Sequence, residues 1–175
     1  MQPLVFLLMV LALGATMSNQ SSNSYSEWNN RGDTLAQQMS WYHNLAVAQC
    51  DQNAGFCPPG VITLTPENQA KLGGGTVGYG TQFQAVTDGA TMVVTMFSLN
   101  RAERDNDPAW MYGPINSHLR TQSGDSAMAG PWSLAAQAIN PGTNYNGYSQ
   151  GVPLPQGFGG LTLPDSVPVI ATIIN

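Results

Sequence analysis

The residues able to do chemistry in this 175-residue chain are few, and they are scattered. Cys50 and Cys57 are the only cysteines. Their even count and short spacing, downstream of an apolar segment suited to export, predict a disulfide rather than two reactive thiols. Closing so short a loop stabilises by about 2.5 kcal/mol in the chain-entropy model. A zinc site is not expected, because no histidine stands at useful spacing to complete four ligands. The two histidines, His43 and His118, fall singly in helical patterns and read as core-edge or solvated residues. Ser126 ends a Ser123-Gly124-Asp125-Ser126 turn, but no positioned histidine and no strand-turn-helix frame accompany it. Glu103, Asp105, Asp107 and Asp125 are the acids an extracytoplasmic hydrolase would draw on, and the sequence does not bring them together. No catalytic, cofactor-binding or metal-binding residue is therefore assigned, and the chain reads as a non-enzyme.

Two short matches carry no mechanism. Thr76-Val77-Gly78-Tyr79-Gly80 spells a potassium-filter loop, but no second apolar run supplies the helices that such a loop needs. Arg31-Gly32-Asp33 spells an adhesion tripeptide inside a predicted helix, where it cannot be presented as a loop. The Gly-rich run around residue 75 lacks the Lys-Ser/Thr of a phosphate loop.

Charged residues make up 9% of the chain, against roughly 25% in ordinary soluble domains. The formal charge is -5 and only five residues are basic: Arg31, Lys71, Arg101, Arg104 and Arg120. They form no stripe, which excludes nucleic acid as a partner and a peripheral electrostatic hold on anionic lipid.

The elements that must position these residues begin with an apolar block, Leu4 to Met17. A hydrophobic rhythm follows: Tyr25, Trp28, Leu35, Met39, Tyr42 and Ala46 recur at steps of three and four, with Gly32 in the gap. That is a helix-packing seam of heptad type. No proline interrupts the chain between Leu4 and Cys57, so one long helix is the simplest reading, although Ser18 to Ser26 is poor in helix formers and a break there, with a second helix starting near Asp33, stays open. The block itself reads either as a signal peptide without a basic leader or as a short retained membrane anchor. Continuity of the helical rhythm favours the anchor.

Beyond the helix, Pro58-Pro59-Gly60 enforces a stop and Val61 to Leu64 is extended. Thr65-Pro66-Glu67 has the chemistry of a helix start. Thr81 to Ala85 and Thr91 to Ser98 predict two strands around a turn at Thr87-Asp88-Gly89, the second apolar on both faces and so central. Pro114 to Gln122 predicts a short helix, and Trp132 to Ile139 is ambiguous between strand and helix. The Tyr-, Asn- and Gly-rich segment 140–160 reads as irregular surface, and Tyr145, Tyr148 and Phe158 there would suit a binding face. Pro164 and Pro168 predict an edge position before a closing strand, Val169 to Ile174.

This order predicts an α+β fold: a long N-terminal, membrane-anchoring helix packed on a small antiparallel sheet, a pilin-like layout. Residues 1–17 would be the hydrophobic membrane segment, 18–57 the amphipathic helix and disulfide loop, and 58–175 the sheet-containing periplasmic part of the same domain. The layout, with Gly147, Val152-Pro153-Leu154-Pro155 and Leu163-Pro164-Asp165-Ser166-Val167-Pro168-Val169, resembles the PilM family of type IVB conjugative thin-pilus systems. The chain departs from pilins in lacking a prepilin-peptidase site and an early acid in the apolar block. The resemblance implies a non-enzymatic, membrane-anchored component of a type IV pilus assembly apparatus or a minor-pilin-like subunit. It would have a single inner-membrane span and a periplasmic C-terminal domain. Its partners would be other pilus-system proteins, through helix packing, and no cofactor is implied. The alternative is a secreted binding or adhesion domain with its signal peptide cleaved.

Overall fold

The computed structural model describes residues 2–52, 57–72, 83–97, 112–122, 128–139, 151–154 and 163–174, with side chains described from Ser26 onward except those of Trp28 and Val152. Helix α1 runs unbroken over Gln2–Asp51. The Ser- and Asn-rich stretch does not interrupt it, because weak propensity costs only tenths of a kcal/mol per residue when no proline or buried break intervenes. Strand β1 (Gly60–Ile62) and helix α2 (Pro66–Lys71) follow. Thr65 caps α2, its hydroxyl accepting from the Asn68 backbone N–H, with Pro66 at the first helical position. Then come β2 (Phe83–Thr87), β3 (Met92–Phe97), α3 (Tyr112–Gln122), β4 (Ala129–Ser133), β5 (Ala138–Ile139), β6 (Val152–Pro153) and β7 (Pro168–Ile173).

All strand pairs are antiparallel, and the sheet order is β1-β2-β3-β7-β4-β5-β6. The β2–β3 turn is built by Asp88, whose carboxylate accepts from the backbone N–H groups of Ala90, Thr91 and Met92 and from the Thr91 hydroxyl. Gly89, at φ +80°, takes a conformation closed to most side chains and lies against Pro59. Every residue of β3 is buried. The ambiguous segment Trp132 to Ile139 forms the β4–β5 hairpin, pairing Trp132 with Ile139 and Ser133 with Ala138.

Two expectations are corrected here. Pro168 does not mark an edge: it starts β7, which lies between β3 and β4 as the middle strand, and it faces Pro131. Proline is tolerated there because the first residue of a strand need not donate to the ladder. The second correction is larger. Among the described residues no helix is long and apolar enough to cross a membrane. The physical reason is legible in α1. Leu4 to Met17 spans about 21 Å of helix against a hydrocarbon core of about 30 Å, and the polar run from Ser18 follows at once. The fold is α+β with an antiparallel sheet, and its long N-terminal helix is not long and apolar enough to cross a membrane. The single inner-membrane span with a periplasmic domain, and the anchored pilus-assembly function resting on it, are overturned with it.

The core forms where the C-terminal part of α1 and helix α3 lie on the sheet. Leu35, Met39, Tyr42 and Ala46 are buried, with Ala36 and Cys50 beside them. Phe83 meets Tyr42 and Phe97, and Phe97 meets Tyr112, so an aromatic chain ties α1, β2, β3 and α3 together. Where α1 crosses α3, Gly32 lies so close that a Cβ there would stand 2.6 Å from the Cβ of Pro114. The helices approach this closely only because one side chain is absent.

Candidate functional site

Three features of the head, the part where the C-terminal half of α1 and helix α3 lie on the sheet, are built from side chains that sequence spacing alone did not bring together. The first is the cross-brace at the end of α1. Cys50 and Cys57 are joined in a disulfide, and both are buried. One residue earlier, Gln49 donates through Nε2 to the Thr63 carbonyl and accepts through Oε1 from the Thr65 backbone N–H and the Asn68 amide. The end of α1 is thereby fixed covalently to the segment before β1 and by several polar links to the start of α2. Of the packing seam, Leu35, Met39, Tyr42 and Ala46 face the sheet inside the head; the side chains of Tyr25 and Trp28 lie outside the described residues.

The second feature centres on His43. It is 3% exposed, on the face of α1 that meets the sheet. Its Nδ1 lies 2.9 Å from the hydroxyl of Thr95 on β3, and its Nε2 lies 2.7 Å from the hydroxyl of Thr172 on β7. Burial holds the imidazole well below its ordinary range, at a pKa of about 4, so it is neutral at pH 7. A neutral ring donates from one nitrogen and accepts at the other, and the hydroxyls can turn to match either tautomer. A cavity of about 280 Å³ opens beside it, reached past Ser40, Asn44 and Gln122. Among the described residues no carboxylate orients the ring; Glu103, Asp105, Asp107, Asp125 and Ser126 lie outside the described residues. Its clear role is to pin α1 to the two middle strands. The sequence reads His43, a lone histidine on a helix, as solvated or core-edge; its two partners, 52 and 129 residues away, are visible only in the fold.

On the neighbouring face Asp33 joins α1 to α3. It lies 3.3 Å from His118 Nδ1 and accepts from the side-chain amides of Gln37 and Gln122.

The third feature is a cleft of about 620 Å³ between α3 and the strand layer, with Asn116, Ser117, Arg120 and Thr121 on the helix side and Pro131 and Ser166 opposite. Asn116 is 7% exposed and donates through Nδ2 to the Ser166 carbonyl at 3.1 Å. Its Oδ1 is buried with no hydrogen-bond partner among the described residues. The spacing of these residues at three and four along α3 was visible in the sequence; that they face a cleft was not. Among the described residues no group of three or more His, Cys, Asp or Glu side chains is placed to hold a metal ion. The segments 140–150 and 155–160, read above as a binding face with Tyr145, Tyr148 and Phe158, lie outside the described residues, and so do residues 73–82.

No family model, curated protein or solved structure matches this chain. With no family match and no helix among the described residues long and apolar enough to cross a membrane, the type IV pilus, PilM and conjugation assignments lose their support.

Proposed function

We propose that the chain is a non-catalytic structural subunit, held in an assembly by the N-terminal part of α1 packing among the same helices of other copies, with the α+β head displayed beyond. The single observation that carries this is the length of α1. Fifty residues of helix extend about 75 Å. A compact domain the size of the remaining chain is about 40 Å across. The described burial of α1 begins at Gly32 and ends at Cys50, a stretch of about 27 Å. More than 30 Å of helix therefore outruns what one head can cover.

The sequence of that part says what covers it. Leu4 to Met17 is apolar on every side of the helix and carries no charge. A helix apolar all round is stable only inside a membrane or inside protein. It is too short to span the hydrocarbon core, which leaves a core made of helices. An uncharged segment encodes no complementary charge for a distinct partner, so the simplest occupant is the same segment of another copy. The cross-brace of disulfide and Gln49 suits this arrangement, because it transmits the position of the helix rigidly to the head.

Sedimentation velocity on the full chain, over a range of micromolar concentrations, tests the reading. Self-association is expected. Leu7→Glu combined with Leu11→Glu should return the protein to monomer, with the disulfide and the near-ultraviolet signal of the head retained. A full-length wild type that remains monomeric, or an equally associated double variant, refutes it.

A further inference from the structure

We infer that two neighbouring heads join by exchanging strand β7, each copy of the chain inserting its own Pro168–Ile173 between β3 and β4 of the other. The exchange goes beyond the helix packing proposed above and rests on that reading only for the local concentration of heads. β7 is the middle strand, paired with β3 on one side and β4 on the other, and Pro168 to Ala171 are buried. Without it the sheet has an apolar gap with two open edges. The strand that fits this gap in register is β7, and every copy carries one. An exchanged pair therefore keeps every strand pairing of the closed fold and differs from it only at the hinge.

The hinge is the turn that leads into β7, and its sequence resists turning. Leu163 and Val167 each precede a proline, which pushes them towards an extended backbone. Pro164 and Pro168 are fixed at a φ compatible with extension. Asp165 and Ser166 are left to make the turn, and Ser166 makes it at φ 67°, a left-handed value that a residue with a Cβ takes only at a cost. Rotation about the N–Cα bond of Ser166 opens the hinge at little loss. Before that bond, the Ser166 N–H donates to the Trp132 carbonyl at 2.8 Å and Asp165 accepts from the Leu134 N–H at 2.9 Å; these stay within one copy. After it, the Ser166 carbonyl accepts from Asn116 Nδ2 and the Val167 carbonyl from the Trp132 N–H; the exchanged segment makes both to the other copy. What breaks is the bond inside the turn, from the Val167 N–H to the Pro164 carbonyl, long at 3.4 Å. What is released is the Ser166 strain, twice per pair. Strained short hinges favour exchange. Heads held side by side by packed α1 helices meet at an effective concentration in the millimolar range, which offsets the cost of joining two chains. A dilute head has no neighbour and stays closed.

The test uses the full chain carrying Leu7→Glu and Leu11→Glu, so that its outcome does not depend on helix packing and its failure leaves that reading standing. One sample also carries Val94→Cys and another Ala171→Cys, positions directly opposite across β3 and β7, at a spacing that a disulfide bridges. The two are mixed in urea at acid pH, where protonated thiols leave the Cys50–Cys57 bond undisturbed. They are then refolded together at neutral pH and about 1 mM, the effective concentration of tethered heads, and oxidised. Intact mass should show dimers of one chain of each kind joined by a disulfide. A single chain carrying both cysteines, refolded dilute, should close the bond internally and so show that the pair can form. Ser166→Gly takes a positive φ with little strain and should lower the dimerisation constant roughly tenfold or more. Ser166→Val, β-branched and at an exposed position, resists that φ and should raise it. The inference is overturned if no mixed dimer forms although the internal bond does. It is equally overturned if the two Ser166 variants, refolded at that concentration and read by size exclusion, give the same dimer fraction, which decides the matter where the cysteine pair does not close.

Discussion

Lowering the pH should unfasten α1 from the sheet through one residue. His43 has an ordinary pKa of 6.5 in an unfolded chain and about 4 in the fold. The folded value is the lower one, so between these limits the unfolded chain binds the extra proton. Stability is therefore fully present above pH 6.5 and is lost as pH falls from 6.5 towards 4. A displacement of about 2.5 pH units corresponds to about 3 kcal/mol, a large part of the 5–15 kcal/mol that holds a typical domain. The hydrogen bonds need not break, since both threonine hydroxyls can turn to accept from a doubly protonated ring. The cost is that of placing a charge at a position only 3% exposed. Urea unfolding followed by tryptophan fluorescence, repeated from pH 7.5 to 4, measures it. The wild-type free energy should fall by up to about 1.4 kcal/mol per pH unit in that window. His43→Gln keeps polar contacts to the threonines but cannot titrate, and should flatten the slope. A His43→Gln protein whose stability falls as steeply as the wild type refutes the assignment of the effect to His43.

Gly32→Ala should destabilise by about 1–3 kcal/mol despite the better helix propensity of alanine, because the new methyl would meet the rigid ring and backbone of Pro114; Asn30→Ala, at an exposed position, is the control, and thermal unfolding reads both. Replacing both Cys50 and Cys57 with alanine should cost about 2.5 kcal/mol in denaturant unfolding, and adding a reductant to the wild type should reproduce most of that loss. Asp88 is pulled two ways: burial works to raise its pKa, but the Thr91 hydroxyl and three backbone N–H groups outweigh it and hold the carboxyl at about 2. Its contribution is present above pH 4 and lost as pH falls through 2, and solvent screening limits it to roughly 1 kcal/mol. Asp88→Asn should remove that part of the acid sensitivity, measurable as a smaller stability change between pH 4 and 2.

The local signals were the ones legible in the sequence. Thr65-Pro66-Glu67 is a self-contained cap, and it starts α2 where its chemistry says. The β-branched run from Thr91 gives β3, buried throughout because neighbours cover it on both faces. Failures arose wherever distant residues decide the outcome. Ser18 to Ser26 looks like a break by propensity, yet α1 passes through it. Pro168 looks like an edge signal, yet the register with Pro131 places it inside the sheet. Apolar content at Leu4 to Met17 suggests an anchor, although its length falls short of a bilayer by about 9 Å. The roles of His43 and Asn116 are not legible in the sequence, because what distinguishes them is the geometry of partners 50 or more residues away.

The place of β7 has a consequence for how the molecule is made. It follows every other strand in the sequence, yet it is the only described link between the β1-β2-β3 and β4-β5-β6 parts of the sheet. Until residues 168–173 arrive, the two halves have open edges and nothing to close on. Such non-local pairing raises the contact order and slows folding. The half-sheets waiting for it are edges onto which other chains can pair. A nascent chain of this protein therefore has its greatest exposure to misassembly before residues 168–173 emerge, and the rate at which β7 docks should set its folding yield.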